Sequence, residues 1–209
     1  MNYIEILNAQ EKYIQGFRSQ SDQDIMTFLN FNRYHHERPF NEILSLFVQD
    51  LDARYVKPFE FWKDFTDKTL DQFNQKAALN IYDSNGKLLE QLFDITQVGL
   101  YSIPEIKNTV LTDDVQSWID VFIEQKSKAI QHSESSTLTL LLKYNIYEEL
   151  GILLSDDQTF HVLLNELVEA LKSSPSMEKI IDVFELVNDI TAAFSKRIKV
   201  HYQASKFFE

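Results

Sequence analysis

The chain has 209 residues, 44% hydrophobic and 25% charged, the proportions of a globular protein rather than of a disordered or fibrous one. With no cysteine it can form no disulfide, no thiolate nucleophile and no cysteine-bound zinc or iron–sulfur centre. Its 32 acids face 20 bases, and the net charge of −12 opposes binding to a nucleic-acid backbone, which needs clustered lysine and arginine.

Only four glycines and four prolines punctuate the chain, so it reads as almost entirely helical. Residues 3 to 20 carry Ile4, Leu7, Ile14 and Phe17 at helical intervals, and Glu5 stands where a secretory signal would be basic, which predicts a cytoplasmic protein. Ser21 caps a second helix from Asp22 to about Tyr34, and the polar cluster Tyr34, His35, His36, Glu37 and Arg38 follows before Pro39. A third helix shows Phe40, Ile43, Leu44, Phe47, Val48 and Leu51 on one face. Pro58 opens a fourth, expected to run to about Tyr82 on a stripe of Phe59, Trp62, Phe65, Thr69, Phe73 and Ala77.

Asp83-Ser84-Asn85-Gly86 is the clearest turn in the chain. A hairpin is conceivable around it, but Leu88, Leu89, Leu92 and Phe93 pair as neighbours four apart, and that spacing predicts a helix. Between Gly99 and Thr112 only a short helical turn is expected, with Ser102 and Glu105 spaced as a capping box. Thr112, Asp113 and Asp114 cap a helix faced by Val115, Trp118, Ile119, Phe122 and Ile123. After a polar turn from Gln131 to Ser136, Thr137 to Leu154 is apolar on nearly every side, as in the buried centre of a bundle, yet too charged and too short for a membrane span of roughly 20 residues. Ser155 and Gln158 box the start of a helix with Phe160, Leu163, Leu164, Leu167, Val168 and Leu171 in register. Pro175 starts the last helix, which runs to about Lys206 and would be about 45 Å long. The predicted fold is all-α: a bundle of about eight or nine helices in a single domain spanning 1–209, with lobes 1–103 and 104–209 as the alternative.

On the last helix Glu178, Asp182, Glu185 and Asp189 fall on one line, opposite Ile180, Phe184, Val187, Ile190 and Phe194. The fourth helix repeats the pattern with Glu60, Asp64, Asp67 and Asp71, where Lys63 and Lys68 can pair with it. Such ridges suit either a solvated helix face or a docking surface for a basic partner. His35, His36 and Glu37 are the one crowded set of ligand types, but adjacent helical residues diverge by about 100°, and no Glu-x-x-His or His-Glu-x-x-His is present. No phosphate loop, dinucleotide fingerprint or nucleophile elbow occurs. The cations Lys196, Arg197, Lys199 and Lys206 suit a helix C-terminus, and Phe207 and Phe208 should be folded back or placed in a partner.

The expected function is therefore non-enzymatic: protein–protein binding of the inhibitor, immunity, adaptor or chaperone type, with no cofactor, no metal, no nucleic acid and no membrane span. The partner is a protein, a basic one fitting best, and a homodimer through the last helix stays open. A second reading is an assembly or surface-coating protein, because Ile6-Leu7-Asn8-Ala9-Gln10 with Phe17, and Pro58-Phe59-Glu60-Phe61-Trp62-Lys63, faintly resemble phasins. A third is an enzyme or ligand-binding protein with a pocket inside the bundle, near Tyr34 to Arg38.

Overall fold

The structure, a computed structural model, describes residues 1–64, 78–98, 113–129, 135–149, 157–174 and 176–206. The chain is mostly helical, with a long C-terminal helix and a small three-stranded sheet, and it divides into two compact units, Met1–Glu105 and Ile106–Glu209. The stretch from Gly99 to Thr112, the fourth-helix positions Phe65 to Ala77, Gln131, Ser155, Pro175, Phe207 and Phe208 lie outside the described residues.

The first unit begins with α1 (Tyr3–Gly16), a 3-10 turn (Phe17–Ser19), α2 (Asp22–His35) and α3 (Phe40–Gln49). Side chains start the first two helices: Asn2 and Glu5 form one reciprocal capping box, and Ser21 and Asp24 another. Phenylalanine supplies the core between them. Phe28 and Phe47 lie 5.1 Å apart edge to face, Phe31 meets Phe47 at 5.2 Å, and Tyr13 meets Phe47 at 5.1 Å. Pairs of this kind contribute about 0.5–1.5 kcal/mol each beyond the area they bury. Ile43, Leu44 and Phe47 are buried as their spacing predicts, whereas Leu51 is 54% exposed, because α3 ends at Gln49.

A sheet follows where two helices were expected. β1 (Val56–Pro58) leads into the single-turn helix α4 (Phe59–Trp62), then β2 (Leu79–Tyr82), β3 (Leu88–Asp94) and α5 (Ile95–Val98) complete the unit. The order is β1-β3-β2, both pairings antiparallel. The fourth helix therefore does not reach Tyr82, and the segment from Leu88 to Phe93 is a strand, not a helix. Alternation explains the first correction: Leu79 and Ile81 are buried, while Asn80 and Tyr82 are half-buried. The second arises because a bulge interrupts the pairing and leaves both Leu88 and Leu89 exposed. Ile81 pairs with Glu90 and Tyr82 with Leu88, so Leu89 is an extra, 61% exposed residue at a bulge, and only Leu92 and Phe93 enter the core. The turn itself is as expected: Gly86 has φ 79, a conformation that favours glycine, and Tyr3 closes over it with its hydroxyl donating to Ser84 O at 3.0 Å.

Two side chains hold the sheet in a helical unit. Gln49, the last residue of α3, donates to Asn80 O and accepts from Asn80 N, each at 2.9 Å, completing the edge of β2 as a neighbouring strand would. Asp94, 3% exposed, has four donors on its carboxylate: Arg54 N at 2.8 Å and Tyr55 N at 3.0 Å on Oδ1, Thr96 N at 2.9 Å and Thr96 Oγ1 at 2.7 Å on Oδ2. Its own N–H donates to Gln97 Oε1 at 2.7 Å, so the Asp94 carboxylate caps α5 at Thr96 while the Gln97 side chain reaches back to Asp94. Trp62 packs with Phe93 and Ile95 and donates from Nε1 to Phe93 O at 2.8 Å.

The second unit contains α6 (Asp113–Ala129), α7 (Ser135–Glu149), α8 (Asp157–Ser173) and α9 (Met177–Lys206). As predicted from its all-round apolarity, α7 is the central helix, packed against α6, α8 and α9. Leu138, Leu141, Leu142, Tyr144 and Ile146 are fully buried, α8 adds Leu163, Leu164, Leu167, Val168 and Leu171, and α9 adds Ile180, Val183, Phe184, Val187 and Phe194. A polar seam runs through this core, with Asn145 donating to Asn188 at 3.5 Å and Tyr147 donating to Asp120.

Replacing Asp94 with Asn puts an NH2 group where one of two carboxylate oxygens accepts a pair of donors, so a largely buried N–H loses its acceptor. The expected loss for Asp94→Asn is about 3 kcal/mol, read from urea unfolding of the full chain; a loss below about 1 kcal/mol would remove the carboxylate from its central place.

Candidate functional site

The acidic line on α9 is present as the spacing predicts. Glu178, Asp182, Glu185 and Asp189 are all exposed, and opposite them Ile180, Phe184, Val187 and Phe194 are buried, with Ile190 half-buried. Successive members are three or four residues apart, so their carboxylates are near neighbours on one helix face and repel one another. Lys179 and Lys196 are the lysines whose side chains are described on this helix, the first half-buried and the second exposed. The remainder of the ridge is solvent-facing carboxylate. Asn188, Thr191 and Ser195, polar residues of the same helix, are buried instead and belong to the core seam.

The corresponding line near Pro58 is different. Glu60 lies in α4, which ends at Trp62, and Asp64 falls in the turn that follows. Glu60 is also paired, with Lys63 Nζ 2.9 Å from its Oε2, and this hydrogen bond and charge raise the Lys63 pKa. Both side chains are largely exposed, so the pair adds little stability. Asp67 and Asp71 lie outside the described residues. The last residue of α4, Trp62, has its indole anchored on β3 through Phe93 O.

The Tyr34 to Arg38 cluster is a junction between elements. His35 and His36 are both buried, and their rings turn to separate carbonyls: His35 Nε2 lies 3.4 Å from Ala53 O, and His36 Nδ1 lies 2.7 Å from Arg33 O. A carbonyl only accepts, so each of these nitrogens carries the proton. Arg38 Nη1 reaches Glu42 Oε2 on α3 and Glu90 Oε2 on β3, both at 3.0 Å, tying the end of α2 to its neighbours. Tyr34 is 42% exposed, with the Arg33 guanidinium 4.3 Å from its ring centre. Among the described residues no three histidine or acidic side chains gather as a metal would require. A cavity of about 220 Å³ in the first unit is lined by Gln49, Asp50, Leu79, Thr96 and Gln97. Gln49, Thr96 and Gln97 direct hydrogen bonds inward to Asn80 and Asp94, and Asp50 accepts from Asp52 N.

Two features are new relative to the sequence reading. Asp94 carried a legible signal, because Asp94-x-x-Gln97 has capping-box spacing. Gln49 carried none, since its role depends on where β2 comes to lie. Large apolar side chains are exposed on the first unit as well, namely Ile4 at 60% and Leu7 at 41% on α1, with Leu88 and Leu89 on β3. No helix among the described residues is long and apolar enough to cross a membrane.

Burial is the main cause that lowers the His35 pKa from 6.5 to about 4; Arg38 and Lys57 lower it further, while the Ala53 hydrogen bond and Asp94 act in the opposite sense. The unfolded chain therefore takes up this proton first, so the His35 contribution is intact above about pH 6.5 and is lost as the pH falls towards 4. Stability in that window should fall on the order of 3 kcal/mol more for the wild type than for His35→Gln, measured by denaturant melts at stepped pH. Parallel curves for the two proteins would show that His35 is not held neutral. Comparisons of the chain with known families, with curated proteins and with solved structures find no match, so the site is read from its own geometry.

Proposed function

We propose that the chain is a cytoplasmic, non-enzymatic helical protein that binds another protein, a basic one, through the ridge of α9. One observation carries this reading: Glu178, Asp182, Glu185 and Asp189 are exposed together on the face opposite a buried apolar stripe. The apolar stripe already seats α9 in its unit, which leaves the carboxylates with no part in packing. Like charges three and four residues apart each cost a helix about 0.2–0.5 kcal/mol, and the favourable place of Glu178 in the first turn offsets part of that, so the ridge adds little to folding. A basic surface laid along it would neutralise several charges at once, speed encounter and make binding weaken with salt.

The test compares the wild-type chain with Glu178→Gln/Asp182→Asn/Glu185→Gln/Asp189→Asn as immobilised baits in an extract of the source cell, at low and at raised salt. The four-fold variant should be as stable as the wild type or up to about 1 kcal/mol more stable, and should lose a partner that the wild type holds at low salt and releases at high salt. Equal retention by both baits, or a partner that resists salt, would move binding away from the ridge.

A further inference from the structure

We infer that Asn85 is a modification site at which the chain deamidates spontaneously, with Asp83 as the positioning residue that sets the rate. Asn85-Gly86 is the one Asn-Gly pair in the sequence. A glycine after asparagine leaves the backbone nitrogen unhindered by a Cβ, so that nitrogen can reach the side-chain carbonyl carbon. In this fold the pair sits at the hairpin tip, Asn85 exposed and Gly86 held at φ 79. The Asn85 carboxamide makes no hydrogen bond among the described residues, so it is free to rotate towards the Gly86 nitrogen.

The chemistry needs only water. The Gly86 N–H gives up its proton to solvent and the nitrogen attacks Asn85 Cγ. Ammonia leaves with the former amide nitrogen, and a five-membered succinimide closes. Water then opens it at either carbonyl, giving aspartyl or isoaspartyl at position 85. What restrains the first step is the turn. Gly86 N–H donates to Asp83 O at 3.0 Å, and that bond must open before the nitrogen can attack. The Asp83 carboxylate holds the same turn closed by accepting from Asn85 N and Lys87 N, each at 2.9 Å.

The consequence falls on α1. The Tyr3 ring packs so closely on Gly86 that a Cβ there would lie 2.8 Å from its Cδ1, and the Tyr3 hydroxyl donates to Ser84 O. An isoaspartyl linkage adds one methylene to the main chain between these two contacts, so the seat of the first turn of α1 is displaced.

The test incubates the folded wild-type chain, Asp83→Ala and Asn85→Gln in mildly alkaline buffer, followed by peptide mass and by isoaspartyl content. The wild type should gain one dalton in the peptide holding position 85 before any other asparagine converts. Asp83→Ala, checked for folding by circular dichroism, should convert several-fold faster, and Asn85→Gln should not convert there. The aged wild type should melt below Asn85→Asp, which carries the same charge without the extra methylene. If Asp83→Ala does not fold, the wild type and Asn85→Gln still decide the site. Retention of the Asn85 amide in the folded chain while another asparagine converts, or no acceleration in a folded Asp83→Ala, would overturn the inference, and equal melting would overturn its effect on α1.

Discussion

The first unit depends on one buried carboxylate. Asp94 is 3% exposed, and a charge so placed is tolerable only with its lone pairs filled, which Arg54, Tyr55 and Thr96 do. The same four bonds fix where the chain goes. They hold the approach to β1 against the end of β3, start α5, and place Ala53 O where His35 meets it. Ile95 N then donates to Tyr55 O at 3.0 Å, closing the junction with a backbone bond. Remove the carboxylate, and Arg54 N, Tyr55 N and Thr96 N lose their acceptor, leaving β1 held to β3 by the backbone ladder alone.

That arrangement is a particular case of a constraint on the whole chain, which must turn with four glycines and four prolines. Short polar side chains take over the work. Asn2 and Ser21 start helices, Asp50 accepts from Asp52 N, Asp83 closes the hairpin, and Ser176 Oγ accepts from Lys179 N at the start of α9. The negative charge of the chain therefore has two origins. Asp24, Asp83 and Asp94 are acids that the backbone requires, whereas Glu178, Asp182, Glu185 and Asp189 satisfy no backbone group among the described hydrogen bonds.

Helices in this chain could be read because burial follows the helical period. The stripe from Leu163 to Leu171, the Ser21 cap and the central position of α7 all follow from residues close together in the sequence. The sheet could not be read in the same way. The leucines at 88, 89 and 92 mimic a helical face because a bulge at Leu89 breaks the alternation that marks a strand, and Tyr82 opposite Leu88 becomes visible only once the register is known. Of the two acidic lines, the one on α9 survives because a long helix keeps its period. Of the line from Glu60 only Glu60 and Asp64 lie among the described residues, at the end of a single-turn helix whose Trp62 bonds to β3 across 31 residues. The His35 to Arg38 cluster drew attention by composition, and the fold uses it to join α2 to α3 and β3.

Among the described residues the polar side chains that line the cavity of the first unit are engaged with the backbone or with each other, while the α9 ridge is engaged with neither. Zero-length carbodiimide coupling joins carboxylates to lysines in contact, and applying it to the full chain in an extract of its source cell tests the claim most directly. The coupled positions should be Glu178, Asp182, Glu185 and Asp189, each joined to lysines of one other protein. Coupling that avoids these four and falls on the first unit near Ile4 and Leu89, or that joins two copies of this chain, would contradict it.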